Sequence, residues 1–476
     1  MADTQTAETA RNPFQANPSG KKMTSVIAVY VVVVASIFVS SGASLVLPVA
    51  AREIGGGDIY SLAMTLSGAV GVALMPLYGY LGARNPAIRR PLFTVSLLVA
   101  AAVIFLRGIA PSMWVIVLPS VFLGMYGPST YVLGYSTIRD MYDAKAAGTF
   151  LGVVGTMQGI GLLLGPAVSG LVVQNLGWRA LNFIIFPVFA LAALLMFFGC
   201  KVTKEETKHM ATAGVFDSLG AVSVTMFLAA LILFLSLGSR APYGSLPSNV
   251  LLAIALLGMV LLIVDIRKKG TAAFVPAPVL KDRNTLCLTI ANFFGTFSAM
   301  ACTFFLAPFI MTVMGQNAVS TSIVNSALAI AGLFMGPIIG RAIGKAGNAR
   351  SIIMWGSGAY RLVLQIALFI ALGPQTPIWI IYIIMFLAGF YSVAGGVAPA
   401  VGPQIQLRPE IRQQGNSIIQ LGQNFGASVS IAVYTAVIAS SGGIERGFKT
   451  SLIIAAGAAA LIFFAGIPLK KLEETQ

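Results

Sequence analysis

Apolar runs of about 20 residues recur along the whole chain, and a backbone passing through hydrocarbon must satisfy its amides within each segment. Only helices do that here. The runs fall near residues 24–48, 59–81, 91–108, 113–137, 149–174, 180–200, 216–238, 248–266, 285–313, 320–340, 351–372, 377–399, 416–440 and 447–468. The expected fold class is an all-α membrane protein with 14 transmembrane helices.

Charge placement tests that count, because each span moves the next loop to the other side. With the N-terminus inside, 23 of the 30 Lys and Arg fall in cytoplasmic segments and five outside, namely Arg52, Arg179, Arg240, Arg446 and Lys449. The remaining two, Arg107 and Arg361, lie within spans. This asymmetry predicts an even number of spans with both termini cytoplasmic, in an inner (plasma) membrane.

In a soluble protein the net charge of +15 would suggest nucleic acid. Here only 9% of residues are charged, against about 25% in globular proteins. The expected partner is therefore the lipid bilayer, with no nucleic acid.

Two longer basic loops, 201–218 and 267–284, divide the chain. The expected domains are a cytoplasmic tail at 1–23, read as disordered, and a six-helix bundle at 24–200. Linker loops with helices 7 and 8 follow at 201–284, then a second six-helix bundle at 285–468 and a cytoplasmic tail at 469–476. The run from Thr24 is too long for a signal-peptide core, so the first helix is expected to stay. Two pseudo-symmetric bundles with an inserted pair match the duplicated organisation of membrane carriers.

Cys200, Cys287 and Cys302 sit in apolar stretches without CxxC spacing, and His209 is the single histidine. No metal or cofactor site follows. No nucleotide-binding motif and no nucleophile, base and orienting acid occur together, so neither ATP hydrolysis nor enzymatic activity is expected.

The fifth span carries Gly159, Gly161, Gly165, Pro166 and Gly170, which permit close helix contact and a kink. From Gly161 to Gly170 it resembles the antiporter motif of the major facilitator superfamily, in its 14-helix drug:proton antiporter branch. Gly177-Trp178-Arg179, Phe186-Pro187, Phe216-Asp217 to Gly220, and Gln420 to Gly426 with Ile431 to Val433 are similar to further segments of that branch. The resemblance runs from about residue 24 to 470. It implies a secondary transporter with alternating access, a small-molecule amphipathic substrate, protons or a counter-ion as coupling partner, and a monomer. It also implies that Gly161, Gly165, Pro166 and Gly170 lie where the two halves meet and favour export.

The loop from Gly79 through Arg84 to Arg89 and Arg90 looks like the family's cytoplasmic gate, but Ala83 stands where the family has aspartate. Asp140 and Asp143 after helix 4 are the candidates to supply that acid. A weaker copy, Gly336 to Gly340-Arg341, then Gly344, Lys345 and Arg350, follows helix 10. The family's helix-1 aspartate and helix-4 arginine align with Val39 and Ser120. No Asp or Glu falls in the middle of a span, and a buried acid is the usual proton carrier and the usual partner of a cationic drug.

By the family's arrangement, helices 1, 4, 9 and 12 face the central cavity. They offer Tyr126, Tyr131 and Tyr135, then Asn292, Phe293, Thr296 and Phe297, then Phe390, Tyr391 and Ser392. Asn416, Gln420 and Asn424 at i, i+4 and i+8 make one polar face on helix 13, which either bonds a neighbouring helix or faces water. Arg361 lies near the bilayer midplane and needs a partner or water, so substrate contact and structural bonding both stay open. The substrate expected from this set is an amphipathic organic compound, neutral or anionic, that is exported or exchanged. The alternatives are proton-coupled multidrug efflux of cations and uptake of an organic anion.

Overall fold

The computed structural model describes residues 13–56, 59–60, 62–208, 217–236, 244–316 and 318–472. His209 and Phe216 lie outside the described residues. The helices are α1 (Ser19–Ile54), α2 (Leu62–Arg84), α3 (Arg89–Gly108) and α4 (Met113–Met141). Next, α5 and α6 run on as Ala144–Phe198, parted at Gly177, whose φ of 83° an L side chain rarely adopts. After these come α7 (Ser218–Ser236), α8 (Leu246–Lys269), α9 (Arg283–Thr312) and α10 (Ala318–Ala346). The last four are α11 (Ile352–Ala371), α12 (Ile378–Gln406), α13 (Pro409–Ser440) and α14 (Ile444–Gly466).

Among the described residues there is no strand, and 13 helices are long and apolar enough to cross a membrane. The 29-residue α10 stands where the tenth span is expected.

The disordered tail expected at 1–23 needs correction from residue 13 onward. Pro13–Ala16 forms a helical turn and Phe14 is buried beneath the Arg89 guanidinium, 5.6 Å from the ring centroid. Asn17 exchanges hydrogen bonds with the backbone of Lys201, both 3.2 Å, so this segment is fastened to the end of α6. Its anchor is one aromatic ring, too little for hydropathy to register.

Lipid supplies no hydrophobic drive between helices, so close packing decides the arrangement. The larger apolar core runs through α1–α6 and crosses, at the end of the bundle bearing Arg89 and Asp140, into Leu288, Ile343, Val397 and Val401. A second core surrounds Phe309, Tyr434 and Phe448 toward the other end of α9–α14. The α7–α8 pair lies on the flank of both halves. Tyr80 of α2 stacks on Phe274 at 4.8 Å, and Phe227 packs with Ile418 and Leu421 of α13.

Candidate functional site

The halves meet at the Arg89 end, called here the basic end. Backbone touches backbone between α5 and α10: a Cβ on Gly152 would lie 2.6 Å from the Gly336 carbonyl oxygen, and one on Gly148 2.8 Å from that of Gly340. From α13, Asn416 Nδ2 donates to the Tyr131 carbonyl at 3.0 Å and Gln413 Nε2 to that of Val132 at 3.3 Å. Arg139 Nε donates to the Gln404 carbonyl of α12 at 2.9 Å.

Asp140 completes the closure. One carboxylate oxygen accepts from Arg89 at 2.6 Å and the other from Arg412 of the opposite half at 3.4 Å. Asp140 is thus the carboxylate shared by Arg89 and Arg412, while Arg89 Nε donates to the Gly82 carbonyl. Asp143 does something else: it caps α5 by accepting from the Ala146 amide at 3.3 Å. Arg90 donates to the Phe197 carbonyl at 3.0 Å, away from the seam, and Arg84 is half-buried at the end of α2. A Cβ on Gly79 would lie 2.5 Å from Ser417 Oγ, so this glycine brings α2 against α13.

Beyond this closure the halves part around a cavity of about 440 Å³. Its wall takes Ser36 and Ser40 from α1, Met75 from α2, Arg107 from α3, Tyr126 and Tyr131 from α4, Gln158 from α5, Thr296 and Met300 from α9, and Gln423 and Asn424 from α13. It reaches Leu47, Ala63 and Met64 toward the end opposite the basic one. No Asp or Glu belongs to this wall among the described residues.

The sequence shapes α4 for this role. Pro119 and Pro128 interrupt it, and Ser129–Gly134 is π-helical, a widening frequent at functional sites. Tyr131 lies in that stretch, with Ser36 and Gln158 as hydrogen-bonding neighbours of its hydroxyl.

Of the residues expected in the cavity, Tyr126, Tyr131, Thr296 and Asn424 are there, and the rest are placed elsewhere. Tyr135 is buried edge-on to Tyr131, ring centroids 5.7 Å apart. Asn292 Nδ2 donates to the Ile419 carbonyl at 2.8 Å, and Gln420 Nε2 to that of Pro399 at 3.1 Å. Phe297 packs on Tyr434 at 5.1 Å, and Phe293 lines an apolar side crevice of about 290 Å³ beside Phe227 and Phe425. The polar face of α13 is thus divided, since Asn416 and Gln420 bond neighbouring helices while Asn424 reaches the cavity. Neither Tyr391 nor any other residue of α12 belongs to the cavity wall among the described residues. The α2 and α13 walls take that place.

Arg361 is also outside the cavity. It is 2% exposed, donates to the Gly295 carbonyl of α9, and lies over the Tyr391 ring at 4.6 Å. Its bonding is internal to the second half.

The antiporter-motif glycines need a correction as well. A Cβ on Gly161 would lie 2.8 Å from the Val34 carbonyl oxygen, and Gly165 fits against Phe38 and Ser41, so both press α5 on α1 of the same half. Gly170 has open space beside it. The Pro166 side chain lies outside the described residues. Contact between the halves falls roughly two to five turns earlier in α5, at Gly148 and Gly152, whose GxxxG spacing was a readable signal for it. Gln158, Ser36 and Ser40 carried no such signal, because isolated polar residues in an apolar run do not announce which side they face.

The family model of the Major Facilitator Superfamily matches residues 29–430. The chain belongs to this superfamily of membrane transporters. Among curated relatives, the "Multidrug efflux pump SdrM" of Staphylococcus aureus is 22% identical, over 89% of this chain and 91% of that protein. The "MFS-type transporter ppz2" of Metarhizium majus is 23% identical over 79% of this chain and 63% of that protein. The "Multidrug transporter protein MdtP" of Bacillus subtilis is 22% identical over 70% and 61% respectively. The chain thus spans about three fifths of the length of these last two. Among solved structures, the human organic anion transporter MFSD10 (TETRAN) superposes with a TM-score of 0.61 at 13% identity, covering 94% of this chain and 100% of that one. At that identity the likeness concerns the fold.

Proposed function

We propose that this superfamily transporter is a secondary carrier that exports or exchanges an amphipathic organic compound, neutral or anionic, by alternating access. The observation that carries the reading is the cavity wall: tyrosines, hydroxyls, amides and one guanidinium among apolar side chains, with no carboxylate among the described residues. Such a wall holds an apolar body and orients a few polar groups. In this reading the fourteen helices divide into six, two and six, and both termini are cytoplasmic in a plasma membrane, as the charge asymmetry supports. The cavity then faces outward and the basic end is the closed cytoplasmic gate. The protein acts as a monomer.

Proton-coupled multidrug efflux is the second reading, supported by the printed names of the bacterial relatives. It requires an acid for the cation or the proton, and the acid nearest the seam, Asp140, is held by two arginines.

Proteoliposomes test the two readings. With matched probes, uptake or release of an amphipathic anion or its neutral analogue, insensitive to an imposed pH gradient, supports carriage of such compounds. Uphill movement of cations driven by a proton gradient alone would overturn it in favour of the second.

A further inference from the structure

Arg107 is 7% exposed in the last turn of α3, and it belongs to the wall of the central cavity. Its Nη2 donates to Ser120 Oγ at 2.5 Å, and Ser120 in turn donates to the Ile116 carbonyl at 2.5 Å. Its Nε is buried without a hydrogen-bond partner, and no described ion pair includes Arg107. A guanidinium has five N–H donors, and a buried cation without a counter-charge is a costly arrangement.

The other two arginines buried among the described residues lie outside the cavity wall, although the Arg361 Nε is also without a partner. Arg89 is paired with Asp140, and Arg361 is held by the Gly295 carbonyl and the Tyr391 ring. Arg107 alone of the three combines a cavity position with unused donors. The same wall offers apolar and aromatic surface at Val39, Leu47, Leu123 and Tyr126. A head group on the cation would leave an attached hydrocarbon body against that wall.

We infer that Arg107 is the anion-recognition residue of the cavity, binding the carboxylate or sulfonate head of a soluble amphipathic substrate, with Ser120 as the positioning residue that aims the guanidinium. The inference rests on the reading that the cavity carries the substrate, and it narrows that substrate from neutral-or-anionic to anionic. Arginine suits the role because its planar fork meets two oxygens of one head group and stays charged at every physiological pH.

The test uses the full chain in phosphatidylcholine nanodiscs, with empty discs as background. Calorimetric titration compares deoxycholate, its uncharged methyl ester, and tetraphenylphosphonium as a hydrophobic cation. Wild type should bind deoxycholate about tenfold or more tighter than the ester, as expected for charge-assisted hydrogen bonds. Arg107→Gln should erase that ratio while ester affinity persists, Arg107→Lys should keep part of it, and Ser120→Ala should lower it. Thermal melts in the same discs report folding, and if Arg107→Gln fails to fold, the Lys and Ser120 variants carry the comparison. Retention of the full ratio by the variants that fold, or equal binding of acid and ester by wild type, overturns the role of Arg107 while leaving the cavity's function intact. Tetraphenylphosphonium binding without either steroid overturns the functional reading and this inference together. Displacement of deoxycholate by phosphatidylglycerol doped into the discs would show an anionic lipid head group there, and would overturn the assignment to a soluble substrate.

Discussion

Asp140 accepts from Arg89 at 2.6 Å within its own half and from Arg412 of the other half at 3.4 Å. One carboxylate therefore fastens two arginines across the seam, and opening of the basic end separates it from Arg412. Asp140→Asn removes the anion and leaves two cations facing each other. Breaking a buried pair costs roughly 3–5 kcal/mol, and here that cost falls on the closed state. The expected outcome is a shift toward a protein open at the basic end, with transport reduced at least about tenfold. Labelling of a cysteine placed at residue 417 reports it, and unchanged labelling would remove Asp140 from the gate.

Gly152→Leu should block closure of the basic end, because even a Cβ there would lie 2.6 Å from the Gly336 carbonyl oxygen. Gly165→Leu acts within the first half by forcing α5 from α1. Overpacking of this kind costs about 1–3 kcal/mol. The first variant should melt normally yet transport poorly, and the second should melt at lower temperature. The reverse pattern would relocate the seam.

Arg361→Ala removes a charged hydrogen bond to the Gly295 carbonyl and a contact with the Tyr391 ring. Together these are worth roughly 2–4 kcal/mol. A lower melting temperature is expected, with equal loss of affinity for charged and neutral ligands. Selective loss of anions would bring Arg361 back into the binding site.

Asp217, just before α7, accepts from Lys269 Nζ at 2.5 Å and from the Gly220 and Phe274 amides at 2.9 and 2.8 Å. Burial pushes this carboxyl up, but those donors outweigh it and leave it below the ordinary carboxylate range. A depressed folded-state value stabilises the fold above the unfolded pKa and is lost as pH falls through the folded one. Asp217→Asn should thus melt below wild type at pH 7, with the gap narrowing in acid below the ordinary carboxylate range. Melting curves across pH check this, and a gap that widens in acid would contradict it.

The helices were legible because a 20-residue apolar run admits so few backbone solutions. The break near Gly177 was legible too, between two runs that the structure joins as Ala144–Phe198. Which residues face the cavity was legible only in part. Tyr126 and Tyr131 reach it and Tyr135 does not, because the π-helical stretch at Ser129–Gly134 shifts the helical phase between them. Arg361 and Arg107 look alike in sequence, each a lone cation in an apolar run. Only the third dimension shows one resting on a tyrosine ring and the other in the cavity wall. Asp140 and Asp143 were both nameable beforehand as candidates to pair with the arginines after helix 2. Telling the paired carboxylate from the helix cap required seeing Arg412 arrive from 272 residues away.

The glycine seam between α5 and α10 has a thermodynamic consequence. Gly148, Gly152, Gly336 and Gly340 bring no side chains to the contact, so at these four positions closure freezes no rotamers and opening frees none. Helix carbonyls at the seam keep their intrahelical bonds in both states, so neither state strands a backbone group. The seam therefore favours the packed arrangement at little entropic cost, and the charged contacts at Asp140 and whatever occupies the cavity act on top of that preference. A seam built this way closes by the fit of one backbone against another.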